Sequence, residues 1–108
     1  MSDEDKTNPD SDTGTAVVEK TKVSKPRMYK ILMHNDDYTT MEFVVYVLER
    51  LFKKSKQEAY EVMMRIHQQG IGICGVFTFE VAESKVSKVA QLAKREGHPL
   101  KCSIEPEE

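Results

Sequence analysis

The sequence has no tryptophan, two cysteines, five glycines and four prolines, and its aromatic share is 7%. Each shortage excludes something. Cys74 and Cys102 are too few for a disulfide framework, and neither belongs to a Cys-x-x-Cys pair. Both sit in apolar runs and read as buried, reduced and chemically quiet thiols. No run of about 18 apolar residues is present, so no segment reads as a bilayer span and no membrane partner is expected. The start, Met1-Ser2-Asp3-Glu4-Asp5-Lys6, lacks the apolar core of a secretory signal, and its acidity argues against a transit peptide. A cytoplasmic location is expected. Positive charge is not in excess either: 16 Lys+Arg face 18 Asp+Glu, a net −2. That balance removes the bulk basic footprint of a nucleic-acid binder. The length, 108 residues, allows one domain.

The chain divides once. Residues 1–27 are Asp, Ser, Thr, Lys and Asn in the main, with Pro9 and Pro26 as breakers and Ala16-Val17-Val18 as the one apolar cluster. Such a stretch cannot bury enough apolar surface to offset its ordering entropy, so it reads as a disordered N-terminal tail. Its acids gather at the start (Asp3, Glu4, Asp5, Asp10, Asp12) and its cations near the junction (Lys20, Lys22, Lys25, Arg27). Residues 28–108 carry the domain.

From Met28 to His34, Tyr29, Ile31 and Met33 alternate with Lys30 and Leu32, a strand pattern. Asn35-Asp36-Asp37 is a loop of turn formers. Thr39-Thr40-Met41-Glu42 reads as a capping box with Thr39 as the cap. Val44, Val47, Leu48, Leu51 and Phe52 then form one apolar helical stripe, and Lys53 and Lys54 suit its C-terminal end. A second box, Ser55-Lys56-Gln57-Glu58, opens a helix with the stripe Ala59, Val62, Met63, Ile66, His67, stopped by Gly70. Ile71 to Phe77 reads as a buried strand whose glycines allow a bulge or a close approach. Thr78 can cap a third helix carrying Ala82, Val86, Val89, Ala90 and Ala93, with Gly97 and Pro99 ending it. Leu100 to Glu105 alternates again as a last strand. The order is βααβαβ. The compact solution is a three-stranded sheet with the three helices on one face, a two-layer α/β sandwich.

Two polar features do not fit a plain core. His67 falls on the apolar stripe of its helix, and Asn35-Asp36-Asp37 precedes a helix N-terminus. Met33, Met41, Met63 and Ile66 can ring a small apolar pocket with Asn35, Asp36 and His67 near its rim, the default form of a binding site. His34, Asp36, Asp37 and His67 offer metal-ligand atoms without a ligand spacing, so no metal and no cofactor is expected. Cys74 has no third member for nucleophilic catalysis, so no catalytic residue is assigned. Recognition fits better. A carboxylate, an amide oxygen and an imidazole nitrogen can all accept from one ammonium group while methionines hold an attached side chain. That chemistry suits a free α-amino terminus with a hydrophobic first residue.

Asn35-Asp36-Asp37-Tyr38-Thr39-x-Met41-Glu42-Phe43-Val44, His67 with Gly70, Ile73-Cys74-Gly75-Val76-Phe77-Thr78 and His98-Pro99-Leu100 resemble the ClpS family. These are adaptors that deliver N-degron substrates to the Clp AAA+ protease, and the likeness runs from about Arg27 to Glu105. It implies an α+β fold, a three-stranded antiparallel sheet with three helices. It also implies that Asn35, Asp36 and His67 bind the substrate's α-amino group, and that Asp37 and Thr39 shape the loop and meet the first peptide bond. Met33, Met41, Val44, Met63, Ile66 and Leu100 would line the side-chain pocket, Met41 at its gate, for a first residue Leu, Phe, Tyr or Trp. Glu80 and Lys85 match positions that contact the N-terminal domain of a ClpA-type unfoldase, and the tail would be the arm that the unfoldase engages. The protein would be a monomer. The sequence departs from the commonest family pattern at Thr40, in place of proline, at Met33-His34, and at Ile66, in place of valine. The competing reading keeps the pocket and makes the protein a small hydrolase or transferase acting on N-terminal amino acids.

Overall fold

In this computed structural model, residues 25–108 are described. The elements are β1 (Met28–His34), α1 (Met41–Arg50), α2 (Lys56–Gln69), β2 (Ile71–Thr78), α3 (Phe79–Glu96) and β3 (Lys101–Pro106). The strand order in space is β2-β1-β3, and β1 is antiparallel to both neighbours. An α+β fold of two layers results, in the βααβαβ order expected. Of the expected tail, residues 1–24 lie outside the described residues, and Lys25, Pro26 and Arg27 lead exposed into β1.

Period-2 alternation decides which face of the sheet the helices cover. Ile31 and Met33 of β1, with Cys74 of β2, join Val44, Val47, Leu48, Val62, Met63, Ile66, Ala82, Val89 and Ala93 in one core. Tyr29, Phe77, Cys102 and Ile104 pack against it. The register of β2 slips between Ile31, opposite Gly75, and Leu32, opposite Ile73, which leaves Cys74 as the extra residue of a bulge.

The first strand and the apolar members of the α2 stripe, Ala59, Val62, Met63 and Ile66, stand as expected, and the last strand starts one residue later, at Lys101. Several local expectations move. Helix α1 is capped by Thr40, whose side chain accepts the Phe43 amide at 3.1 Å, and not by Thr39. The reason is local competition: Thr39 gives both its amide and its hydroxyl to Asp36. The helix ends at Arg50 with Leu51 as its C-cap, so Lys53 and Lys54 lie beyond it. The cations at that end are Arg50, in the last turn itself, and Lys85 of α3, whose Nζ donates to the Leu51 carbonyl at 2.8 Å. Helix α2 has the full box, Ser55 accepting from the Glu58 amide and Glu58 from the Ser55 amide, and closes on Gly70 at φ 88°. His67, placed on the buried stripe by spacing, is exposed. Strand β2 is not buried throughout: Ile71 and Ile73 face the side of the sheet without helices, and its two faces alternate. Thr78 precedes α3 in extended backbone without a side-chain cap bond, and of the α3 stripe Val86 is half-buried and Ala90 exposed.

Candidate functional site

The loop between β1 and α1 is held from inside by one carboxylate. Asp36 Oδ1 accepts the Tyr38 amide at 2.8 Å and the Thr39 amide at 2.7 Å, and Oδ2 accepts the Thr39 hydroxyl at 2.7 Å. It is held to the rest of the fold by the Asn35 amide, which donates to the Gly70 carbonyl at 2.9 Å. Gly70 ends α2, and His67 lies one turn earlier on that helix. That bond therefore brings Asn35 and His67 to one rim.

A cavity of about 210 Å³ opens there. Its lining is Asn35, Asp36, Asp37, Thr39, Met41, Val44, Met63, Ile66 and His67. Val44, Met63 and Ile66 are buried at its floor, Met41 is exposed at the mouth, and Asn35, Asp37 and His67 are exposed around it. Every lining residue among those described belongs to the set named from sequence. Met33 and Leu100 were named too, and the structure does not bring them to this cavity. Met33 is fully buried and Leu100 nearly so, both within the core. Glu80 is exposed in the first turn of α3, and Lys85 is half-buried, its ammonium over the Phe77 ring at 5.2 Å and the Phe52 ring at 5.7 Å.

The rim is rich in acceptors. Partial burial pushes the Asp36 carboxyl up, but the Thr39 hydroxyl, the Tyr38 and Thr39 amides and the nearby His98 together outweigh it and hold the group below its ordinary value. Asp36 is therefore charged at neutral pH. His98, to which the sequence assigned no role, stacks on Phe43 at 4.2 Å between centroids, and its Nδ1 is buried without a hydrogen-bond partner. The His98-Pro99-Leu100 stretch entered the sequence reading only as part of the family resemblance, and a histidine after a helix stop does not by itself signal such a place. A neutral thiol at Cys74, pushed up by its hydrogen bond with Cys102 and by burial, is no nucleophile. Among the described residues, no three His, Cys, Asp or Glu side chains are placed to hold a metal ion. No helix among them is long and apolar enough to cross a membrane.

An apolar well under a rim of acceptors can hold an ammonium group joined to a hydrophobic side chain. Comparison with known proteins bears on which molecules use such a well. The sequence profile of the ATP-dependent Clp protease adaptor protein ClpS matches residues 24–103. The chain belongs to the ClpS family. It is 53% identical over 106 residues to the ATP-dependent Clp protease adapter protein ClpS of Rhodospirillum centenum, covering 97% of this chain and 98% of that one. The ClpS of Gluconobacter oxydans is 64% identical over 81 residues, 75% of this chain and 68% of its own. Among solved structures, Agrobacterium tumefaciens ClpS2 bound to L-phenylalaninamide superposes with a TM-score of 0.74 at 38% identity, covering 77% of this chain and all of that one. ClpS proteins are named as adapters of a protease and not as enzymes, so this chain is a Clp protease adaptor and the hydrolase or transferase reading falls.

Proposed function

We propose that this ClpS-family adaptor binds substrates by a free α-amino group and a hydrophobic first side chain, Leu, Phe, Tyr or Trp, and delivers them to a ClpA-type unfoldase in the cytoplasm. The observation that supports the reading is the cavity: Asn35, Asp36 and His67, which carry acceptor groups, line it together with the buried Val44, Met63 and Ile66. The ligand of the Agrobacterium ClpS2 relative, an amino-acid amide with a free amino group and an aromatic side chain, has the chemistry such a well would take. In this reading Asn35, Asp36 and His67 hold the ammonium, Asp37 and Thr39 meet the first peptide bond, and Met41 gates the well. Glu80 and Lys85 are the unfoldase-facing positions on α3. With its ammonium on the Leu51 carbonyl, Lys85 would act at that interface through its stem and by holding the end of α1.

The test removes one charge from either side. Asp36→Ala should weaken binding of a peptide beginning with Phe by about 2–5 kcal/mol, the range for truncating one partner of a charge pair that the bound ligand would bury, the loss including release of the three bonds that hold the loop. Acetylating the peptide's amino group should do the same, since it removes the cation and leaves the rim acceptors unfilled. Equal binding of the free and acetylated peptides in a fluorescence titration would sink the assignment.

A further inference from the structure

On the far side of Met41 and Met63, a second depression of about 470 Å³ runs between α1 and α2. Its lining is Met41, Glu42, Val45, Tyr46, Glu49, Tyr60 and Met63, so it shares two side chains with the cavity already described. On α1, positions 42, 45, 46 and 49 form one helical stripe. That stripe is the outward one, because Phe43, Val44, Val47 and Leu48 face the core. Tyr60 and Met63, three apart on α2, form the opposite wall. Met41 is 44% exposed, Tyr46 43% and Tyr60 56%, a cluster of large apolar surface around one groove where scattered single residues would need no explanation. Among the described residues, its charged lining residues are the carboxylates Glu42 and Glu49, two turns apart along α1.

We infer that this groove is a second subsite for the substrate chain, that it takes the side chain of the substrate's third residue, and that it favours a long basic one; this rests on the reading of the first cavity given above. A chain whose first residue fills the cavity and whose first peptide bond meets Thr39 passes next along the start of α1, where Met41 separates the two depressions. In an extended chain, residues two apart lie on the same face, about 6.8 Å apart, while the residue between them points away. The third side chain therefore returns to the surface beyond Met41. Arginine or lysine suits the groove because its alkyl stem can lie along Met41, Val45 and Tyr60 while its head reaches Glu42 or Glu49. Tyr46 already carries Arg50 over its ring at 5.1 Å, which leaves Tyr60 as the more open aromatic wall. An acidic third residue would meet two like charges.

The experiment measures binding of the full chain to phenylalaninamide and to labelled peptides Phe-Ser-X-Ser-Ser-Ser, with X as Arg, Ser or Glu. Arg at the third position should bind on the order of two- to five-fold more tightly than Ser, the range of an exposed ion pair, and Glu more weakly than Ser. The spread should narrow as salt is raised. Glu49→Gln, a conservative change at a half-buried position of the outward stripe, should reduce the preference for Arg over Glu and leave phenylalaninamide binding as it was; Glu42→Gln, at an exposed position, is the second variant should the first perturb folding. Binding of phenylalaninamide together with equal affinities for the three peptides overturns the inference alone. A preference that appears when the variable residue is moved to the second position, and not at the third, overturns it as well. Failure of phenylalaninamide to bind would overturn the underlying reading and this one with it.

Discussion

Asp36 is the residue on which the loop turns, and its titration is the simplest handle on the site. Its carboxylate spends Oδ1 on two amides and Oδ2 on the Thr39 hydroxyl, and its value lies below the ordinary 3.8. A lowered value means the charged form is favoured by folding, so the stabilisation is complete above pH 3.8 and is lost as pH falls through the lowered value. In urea unfolding between about pH 4 and pH 2, Asp36→Asn should therefore show a shallower acid loss than the parent protein. An unchanged acid limb would mean the loop's bonds contribute nothing to stability. A second residue-scale expectation concerns Gly72. A Cβ placed there would sit 2.6 Å from Ile66 Cγ1, an inner carbon of a side chain that lines the cavity. Gly72→Ala should displace Ile66 toward the cavity and cost about 1–3 kcal/mol, the range for overpacking. Ligands with the longest first side chains, Trp before Leu, should lose most affinity in a peptide titration. Equal losses for all would place the adjustment elsewhere.

Among the elements, α2 is the one with both ends specified by its own residues. Ser55 and Glu58 satisfy each other's amides at its start, and Gly70 takes the left-handed turn at its stop. Ser55→Ala should cost about 1 kcal/mol, which for a domain of this size lowers the melting temperature by roughly 4–8 °C. Thermal unfolding followed by circular dichroism reads this directly. Because Gly70 carries the carbonyl that holds Asn35, loosening α2 should also loosen the rim, so the variant should bind an N-terminal Phe peptide no better than the parent. Helix α1 is different: its own residues supply the Thr40 cap and Arg50 in the last turn, but the cation bonded to the carbonyl at its end, that of Leu51, is borrowed from Lys85 on α3.

At the scale of the whole molecule, the described fold places the cavity where the β1–α1 loop meets the end of α2, while Glu80 and Lys85 lie near the start of α3. Binding and handover would then use different parts of the protein. Among the described residues, the cavity lining falls between Asn35 and His67, after the tail in the chain. Deleting residues 1–24 should leave the affinity for an N-terminal Phe peptide nearly unchanged and should abolish or strongly slow degradation of such a substrate by a reconstituted Clp protease. Degradation at the parent rate would reduce the tail to a linker.

Residue order alone determined the order of the elements, most of the buried positions of the helices and the residue types gathered at the rim. Hydrophobic period and capping act over one or two turns, and their partners lie close in the chain, as Ser55 and Glu58 do. The same locality misled at Thr39, because two caps one residue apart satisfy the same pattern and only the Asp36 carboxylate chose between them. Four features were decided in three dimensions. His67 is exposed because a stripe spans about 100°, and what packs against the helix sets its edge. Met33 and Leu100 lie in the core and outside the cavity lining, because alternation says which side chains turn inward and not which of them a cavity reaches. Lys85 holds the end of α1 across 34 residues of chain. The groove along Tyr46 and Tyr60 exists only where α1 and α2 meet, since each helix alone presents an ordinary exposed tyrosine, and packing turns two such surfaces into one wall.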